Sequence, residues 1–281
     1  MLFRYPGGKG KIKSLISEKI TSFYESGDKQ HVEFREPFFG AGAISFDVLK
    51  NHELENIWIN DRDPGIAAIW SVVINSPKDL QELISAYKPK LEDFYIFKKQ
   101  LLDTNYLNNA DEVYLAFQKL AIHQMSYSGL GTRAGSAIGG KDQFDNDGNP
   151  KKYLVDCRWS PDKLIKDINR LHTLLSNSHV KYGECTRYGF EVLIKESGSA
   201  YIYLDPPYYK VGQDLYQFNF TDDQHKKLSE LLKECPHSWL LSYDKHERIS
   251  ELYSWANIEE IPIKYSINGA VETSELLISP K

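Results

Sequence analysis

"HVEFREPFFGAGAISFDVLK", residues 31–50, decides the fold. A β-rich run near Val32–Pro37 meets a glycine turn, and a helical pattern begins at about Ala43. The order then repeats. "ENIWIND", residues 55–61, reads as a second strand. "PGIAAIWSVVIN", residues 64–75, reads as a helix with Pro64 at its first position, where the missing N–H removes no intrahelical bond. Strand, turn, helix, strand, helix predicts an α/β protein with a Rossmann-like, doubly wound parallel sheet.

Past Asn75 the alternation stops. Residues 77–125 carry helical periodicity, and "ADEVYLAFQKLAIHQM" (110–125) places Val113, Phe117, Leu120 and Ile122 on or near one face. "SYSGLGTRAGSAIGGKDQFDNDGNPKKY" (126–153) is rich in Gly, Ser and Asp and has little periodicity. It predicts a long loop or hairpin, and such segments in compact proteins are commonly functional. "SPDKLIKDINRLHTLL" (160–175) opens a helix with Ser160 as N-cap and Pro161 at the first position. Strand-like runs return at "HVKYGEC", "AYIYLD", "SWLLSY" and "NIEEIPI". The chain divides into an α/β domain, residues 1–80 plus 176–281, and a helical, loop-rich insertion, residues 81–175.

Composition excludes some classes. The apolar fraction, 41%, suffices for a sizeable core, and no apolar run approaches membrane-spanning length. The N-terminus lacks the apolar stretch of an export signal. Cys157, Cys185 and Cys235 are far apart and form no CxxC pair; they predict neither a disulfide framework nor a zinc site, and fit a reducing cytoplasm. The net charge of −5 argues against a polyanionic partner, but the charge is uneven. Residues 1–30 hold six Lys/Arg against three Asp/Glu, and residues 85–175 hold thirteen against eleven. Phosphate contact is local, so a positive face on an acidic body remains compatible with nucleic acid.

Glycines at 40 and 42, after a strand and before a helix, let a ligand approach the backbone at the helix N-terminus; the alternative is a plain tight turn. Asp61 ends the next strand, twenty-one residues beyond Gly40, where an acid commonly accepts hydrogen bonds from ribose hydroxyls. Together they point to an adenosine-containing ligand. "FRYPGGKGK" (3–11) is not a phosphate loop: the position five residues before Gly10 is Tyr5, and Gly8–Lys9 precedes neither Ser nor Thr.

"DPPYY", residues 205–209, follows the strand-like "AYIYL". A carboxylate at the carboxyl end of a central strand lies where open α/β sheets bind ligands. Asp205 and the Pro206 carbonyl could both accept from one –NH₂ group, Pro207 helps fix the backbone, and Tyr208 could stack on the ring bearing that amine. That constellation suits a flipped-out nucleobase.

"FRYPGGK", "EPFFGAGAI", "IND", "DPPYY" and the terminal "ETSELLIS" stand in the order of Dam-type, D12-class DNA adenine methyltransferases, which this chain resembles over most of its α/β part. The resemblance implies S-adenosylmethionine as cofactor and double-stranded DNA as substrate. It places Tyr5, Lys9, Phe39, Gly40, Gly42 and Asp61 at the cofactor, with Glu184 near its adenine and Asp205 adjoining it. It assigns catalysis to Asp205, Pro206, Pro207 and Tyr208, and no metal is needed. An Asp in DPPYY, where Ser is common in cytosine-amine enzymes, favours adenine. A cytosine or RNA adenine amine remains open, as does a catalytically silent DNA-binding module on the same fold. A cognate restriction endonuclease acting on the same site is also open.

Motif order puts target recognition in the insertion. There Tyr127, Arg133 and Lys141 are the candidate DNA contacts, with Arg133 in "GLGTRAG" the chosen base reader. The recognition pattern of Dam-type enzymes reading GATC is absent from "SYSGLGTRAGSAIGGKDQF", which leaves the DNA sequence undetermined.

Overall fold

The computed structural model describes residues 2–5, 9, 12–27, 29, 31–51, 54–176, 184–210, 217–265 and 271–281. Strands are β1 (Glu33–Glu36), β2 (Ile57–Asn60), β3 (Glu184–Thr186), β4 (Ala200–Leu204), β5 (Ser238–Asp244), β6 (Asn257–Tyr265) and β7 (Val271–Ser279). They form one sheet in the order β3-β2-β1-β4-β5-β7-β6. β3, β2, β1, β4 and β5 pair in parallel, while β7 pairs antiparallel with both β5 and β6. The antiparallel end departs from the all-parallel expectation. Five residues separate Tyr265 from Val271, too few for the crossover that a parallel neighbour requires.

The helices are α1 (Lys13–Glu25), α2 (Ser45–Asn51), α3 (Pro64–Asn75), α4 (Pro77–Ala86), α5 (Leu91–Leu102), α6 (Thr104–Asn109), α7 (Glu112–Met125), α8 (Gly131–Ala134), α9 (Pro161–Leu175) and α10 (Phe190–Lys195), followed by Asp222–Lys233 and Glu247–Leu252. Pro64 and Pro161 stand at helix starts as expected. Asp63 caps α3 through Gly65 and Ile66 N–H, whereas Ser160 makes no side-chain capping bond. Among the described residues, no helix is long and apolar enough to cross a membrane.

β4 is buried along its whole length, as expected of a parallel strand covered on both faces. Tyr201 and Tyr203 point into the core shared with α1, α2 and α3, while Ala200, Ile202 and Leu204 point into a second core with α10 and the helices after β4 and β5. The first core continues without a break into Leu80, Phe94, Leu115–Met125 and Leu164–Leu175. α7 is therefore buried nearly all round rather than on the one face that its periodicity suggests, because α3, α4, α5 and the segment after it all pack on it.

Residues 126–158 contain no regular hairpin; isolated bridges join Ser126 to Ala137 and Phe144 to Pro150. Arg133 stands on the single helical turn α8 rather than in a glycine loop.

Candidate active site

Where β1 has β2 on one side and β4 on the other, the chain direction of the sheet's build-up reverses, and a crevice opens at the carboxyl ends of the strands. A cavity of about 310 Å³ sits there. Its lining includes Tyr5, Lys9, Glu36, Phe38, Phe39, Gly40, Asn60, Asp61, Asp205 and Pro207. Elements far apart in sequence thus converge on one space: the N-terminal segment, the glycine turn after β1, the acid after β2 and the acid after β4.

The glycine turn is built around Asp61. One carboxylate oxygen accepts from Gly40 N–H at 2.8 Å and the other from Asp63 N–H at 2.9 Å. Gly40 has φ +50° and lies against the Tyr5 ring, where an added Cβ would come within 3.0 Å of two ring carbons. Its carbonyl accepts from the Trp70 indole at 2.8 Å, so the turn is fixed from both sides. Gly42 has φ +67°, and a Cβ there would lie 2.5 Å from Phe39 and Phe46. It faces this packing and does not line the cavity, so its requirement for glycine is structural. Burial pushes the Asp61 carboxyl up to about 7, with the neighbouring Asp63 adding to the rise and Lys119 opposing it.

Asp205 is ion-paired with Lys9 at 2.7 Å, and Ser242 Oγ donates to it at 3.3 Å. Burial raises its carboxyl to about 6, against the lowering pull of Lys9. The Lys9 ammonium also touches the Tyr208 hydroxyl and lies 4.2 Å from the centre of that ring. Glu275, on β7, accepts from Tyr208 OH at 2.9 Å and pairs with Lys9 at 3.4 Å. Two carboxylates, one ammonium and one phenol therefore share a mostly buried cluster at the cavity's edge.

A third carboxylate, Glu36, ends β1. It accepts from Ser45 N–H at 3.2 Å and from the Ser45 hydroxyl. Burial raises it to about 8. Phe38, Phe190 and Phe220 also line the cavity and form a cluster with ring centres 5.2–5.7 Å apart. An aromatic cluster and carboxyl groups lining one cavity suit an aromatic base joined to hydroxyl and cationic groups. S-adenosylmethionine carries all three, so the residues present fit it.

The chain matches the D12 class N6 adenine-specific DNA methyltransferase family over residues 5–267. It belongs to that family. Its curated relatives agree. Over 284 residues it is 23% identical to "Type II methyltransferase M.MjaIII" of Methanocaldococcus jannaschii, covering 94% of this chain and 91% of that protein. A similar match, 23% over 289 residues, covers 96% of the chain and 90% of "Type II methyltransferase M1.LlaDCHI" of Lactococcus lactis subsp. cremoris. The protein is an adenine-specific DNA methyltransferase that uses S-adenosylmethionine. Cytosine, RNA and the silent module give way to that assignment.

The methyltransferase does not gather every expected residue into the cavity. Tyr5, Lys9, Phe39, Gly40, Asp61, Asp205 and Pro207 line it; Pro206 is buried behind, and Tyr208 stands beside it in the Lys9 cluster. Glu184 begins the edge strand β3, and its side chain lies outside the described part. Gly7, Gly8 and Gly10 of "FRYPGGKGK" are outside it as well. Tyr127, Arg133 and Lys141 are exposed on the segment expected to contact DNA, and none lines the cavity; Ser128 of that segment does.

Glu36, Phe38, Ser128, Phe190, Phe220 and Glu275 were not among the expected residues. Glu36 carried a legible signal, since it precedes Pro37 at a strand end as Asp205 precedes Pro206. Glu275 sits in "ETSELLIS", but only the antiparallel placement of β7 beside β5 brings it to Lys9.

Proposed function

We propose that the cavity is the cofactor site of a methyltransferase acting on duplex DNA, and that the target adenine is flipped into the space beside Asp205, Pro206 and Tyr208. One observation carries this: the glycine turn with Asp61 and the DPPYY turn line one cavity at the switch point of the sheet. Asp61 would hold the ribose hydroxyls, Glu36 would face the cationic part of the cofactor, and Tyr5 and Phe39 would pack beside it. Residues 81–175 serve as the recognition insertion on the α/β body of residues 1–80 and 176–281, with Arg133 reading a base and Tyr127 and Lys141 contacting the DNA. The relatives are named type II methyltransferases, which supports a cognate restriction endonuclease for the same site.

When bound, S-adenosylmethionine supplies an electrophilic methyl group on a sulfonium. The protein's part is orientation and charge. An adenine amine is a weak nucleophile because its lone pair is delocalised into the ring. Asp205 and the Pro206 carbonyl, accepting its two hydrogens, favour a more tetrahedral nitrogen and stabilise the positive charge that develops there. Tyr208 holds the base plane so that nitrogen and methyl carbon approach in line. Lys9 at 2.7 Å and Ser242 at 3.3 Å both lie on Asp205 Oδ1, so the amine would take Oδ2 while the Lys9 pairing holds the carboxylate in place.

The test is methylation of a long random-sequence duplex, and of its separated strands, by the purified protein, followed by base-resolved sequencing. N6-methyladenine confined to one short duplex sequence is the expected result. Equal modification of separated strands would overturn the duplex reading.

A further inference from the structure

Lys119 and His123 stand four residues apart on α7 and so share one helix face. Each touches both the cavity's walls and the loop 126–134. The Lys119 ammonium is 2.6 Å from Asp63 Oδ2 and donates to Thr132 Oγ1 at 3.1 Å. Asp63 in turn donates its backbone N–H to Asp61 at 2.9 Å. His123 Nδ1 donates to the Gly129 carbonyl at 3.1 Å, and its ring packs 5.8 Å from that of Tyr5, centre to centre. Lys119, His123 and Thr132 are all buried.

The loop combines a few short-range backbone bonds with unusual backbone angles. Ser128, Gly129 and Gly131 have φ of 55°, 70° and 68°, and Ser128 is the non-glycine residue with positive φ among the described residues. A left-handed non-glycine residue persists where its surroundings impose it. Here α7 supplies Lys119 and His123, and Ser126, the loop residue that follows α7, accepts through its Oγ from Gly131 N–H at 3.0 Å. Two glycines are fitted to this face: a Cβ on Gly65 of α3 would lie 2.7 Å from Lys119 Cδ, and one on Gly131 would lie 2.5 Å from His123 Cε1.

We propose that this face of α7, through Asp63–Lys119–Thr132, couples the cofactor cavity to the recognition loop, so that a bound cofactor orders the loop for DNA. The inference rests on the assignment of the cavity to S-adenosylmethionine. A merely structural Lys119–Asp63 ion pair has no need of the Thr132 hydroxyl. With it, one ammonium binds the turn that carries Asp61 and the loop that carries Arg133, and fixing either end restricts the other. Lys119 is thus a positioning residue acting through Asp63 and Thr132. The coupling is reciprocal, so DNA on the loop tightens cofactor binding by the same factor.

The experiment is hydrogen exchange of the backbone amides of 126–135, read by mass spectrometry, in the full chain with and without S-adenosylmethionine. Cofactor affinity is measured in parallel by calorimetry. In the wild type the cofactor slows exchange of the loop several-fold. Thr132→Val keeps the shape, loses the hydroxyl and abolishes that slowing, while cofactor affinity stays within about twofold. Thr132→Ser, which restores the hydroxyl, restores the slowing. Where Thr132→Val fails to fold, Thr132→Ala carries the same comparison. Cofactor binding without loop protection in the wild type, or equal protection in Thr132→Val, overturns the proposal alone. No cofactor binding at all overturns the cavity assignment and the coupling with it.

Discussion

The DPPYY turn and the loop 126–134 border one cavity and are held in opposite ways. The turn continues a strand buried along its length, and its backbone N–H groups at Tyr209 and Lys210 are clamped by the two oxygens of Asp244 at the end of β5, each at 3.1 Å. Tyr209 is itself an anchor: its ring stacks 4.4 Å from His246, and its hydroxyl donates to Asp222 at 3.0 Å. The second tyrosine therefore fixes the turn, and the first serves the site. The loop has no such sheet beneath it; Lys119 and His123 of α7, the Ser126 hydroxyl and backbone bonds from Gly129 N–H to Ser126 O and from Leu130 N–H to Tyr127 O hold it. The carboxylate proposed for the chemistry sits at the end of a buried strand, and the loop proposed for recognition rests on a helix face and on its own short-range backbone bonds.

The largest effect tests the rigid side. Asp205→Asn keeps the shape but presents an NH₂ where a pure acceptor is required. Single-turnover methyl transfer should fall by on the order of 10² or more, the usual loss when a group aimed at developing charge is removed. Cofactor affinity should largely persist, because Asp205 touches the cavity only at its edge. A near-normal rate in this variant would remove Asp205 from the chemistry.

Asp61→Ala comes next. It removes the acceptor proposed for the ribose and also leaves Gly40 and Asp63 N–H without their partner. Loss of a charge-assisted bond weakens cofactor binding by ~1.5–3 kcal/mol. Unchanged affinity in calorimetry, with the protein folded, would take Asp61 out of the site.

Much of the rigid side was legible. Strand, glycine turn, helix and a following acid announce themselves because each obeys a local rule: the positive φ at Gly40, Pro64 at a helix start, Asp61 and Asp205 at strand ends. The loop 126–134 obeys none. Ser128 adopts a glycine-like conformation, and Lys119 and His123, which bond Thr132 and Gly129 beside it, read in sequence as ordinary members of an amphipathic helix. Glu36 lies within a strand-like run with no motif of its own, and its signal is the Glu-Pro that repeats the Asp-Pro of Asp205. Glu275 was beyond reach, since its partners lie more than two hundred and sixty residues away at Lys9 and sixty-seven away at Tyr208.

Arg133→Ala tests the adjustable side. Arg133 is exposed, and the loop carbonyls beside it, those of Arg133 and Gly135, accept from Lys98 at 3.4 and 2.6 Å, so the side chain can be removed without unseating the backbone. A bidentate contact to guanine discriminates by ~1–3 kcal/mol, whereas a phosphate contact carries no sequence information. Relaxed methylation at one position of the site, across a randomised duplex library, is the expected outcome. A uniform loss, with the salt slope reduced by about one unit, would assign Arg133 to phosphate instead.

The smallest effect belongs to Tyr208→Phe, and it separates the two functions of that ring. Stacking on the base needs the ring, which phenylalanine keeps. The hydroxyl donates to Glu275 and contacts Lys9, so its loss releases part of the cluster that surrounds Asp205. One hydrogen bond to a charged group at this partly buried position suggests a loss of about 1 kcal/mol, a factor of roughly five in single-turnover rate. The pH profile sharpens the point. The useful form of Asp205 is the carboxylate, and burial raises it to about 6, so the single-turnover rate with cofactor and DNA saturating, where binding by Asp61 and Glu36 no longer limits, should climb with pH through about 6. Glu275 is one of the charges raising Asp205, and Glu275→Gln, which removes that charge, should move the inflection downward. Tyr208→Phe removes no charge and should lower the plateau while leaving the inflection in place. If Tyr208→Phe instead shifts the inflection as far as Glu275→Gln does, the hydroxyl acts by organising the charges of Lys9 and Glu275, and its part in the rate is electrostatic.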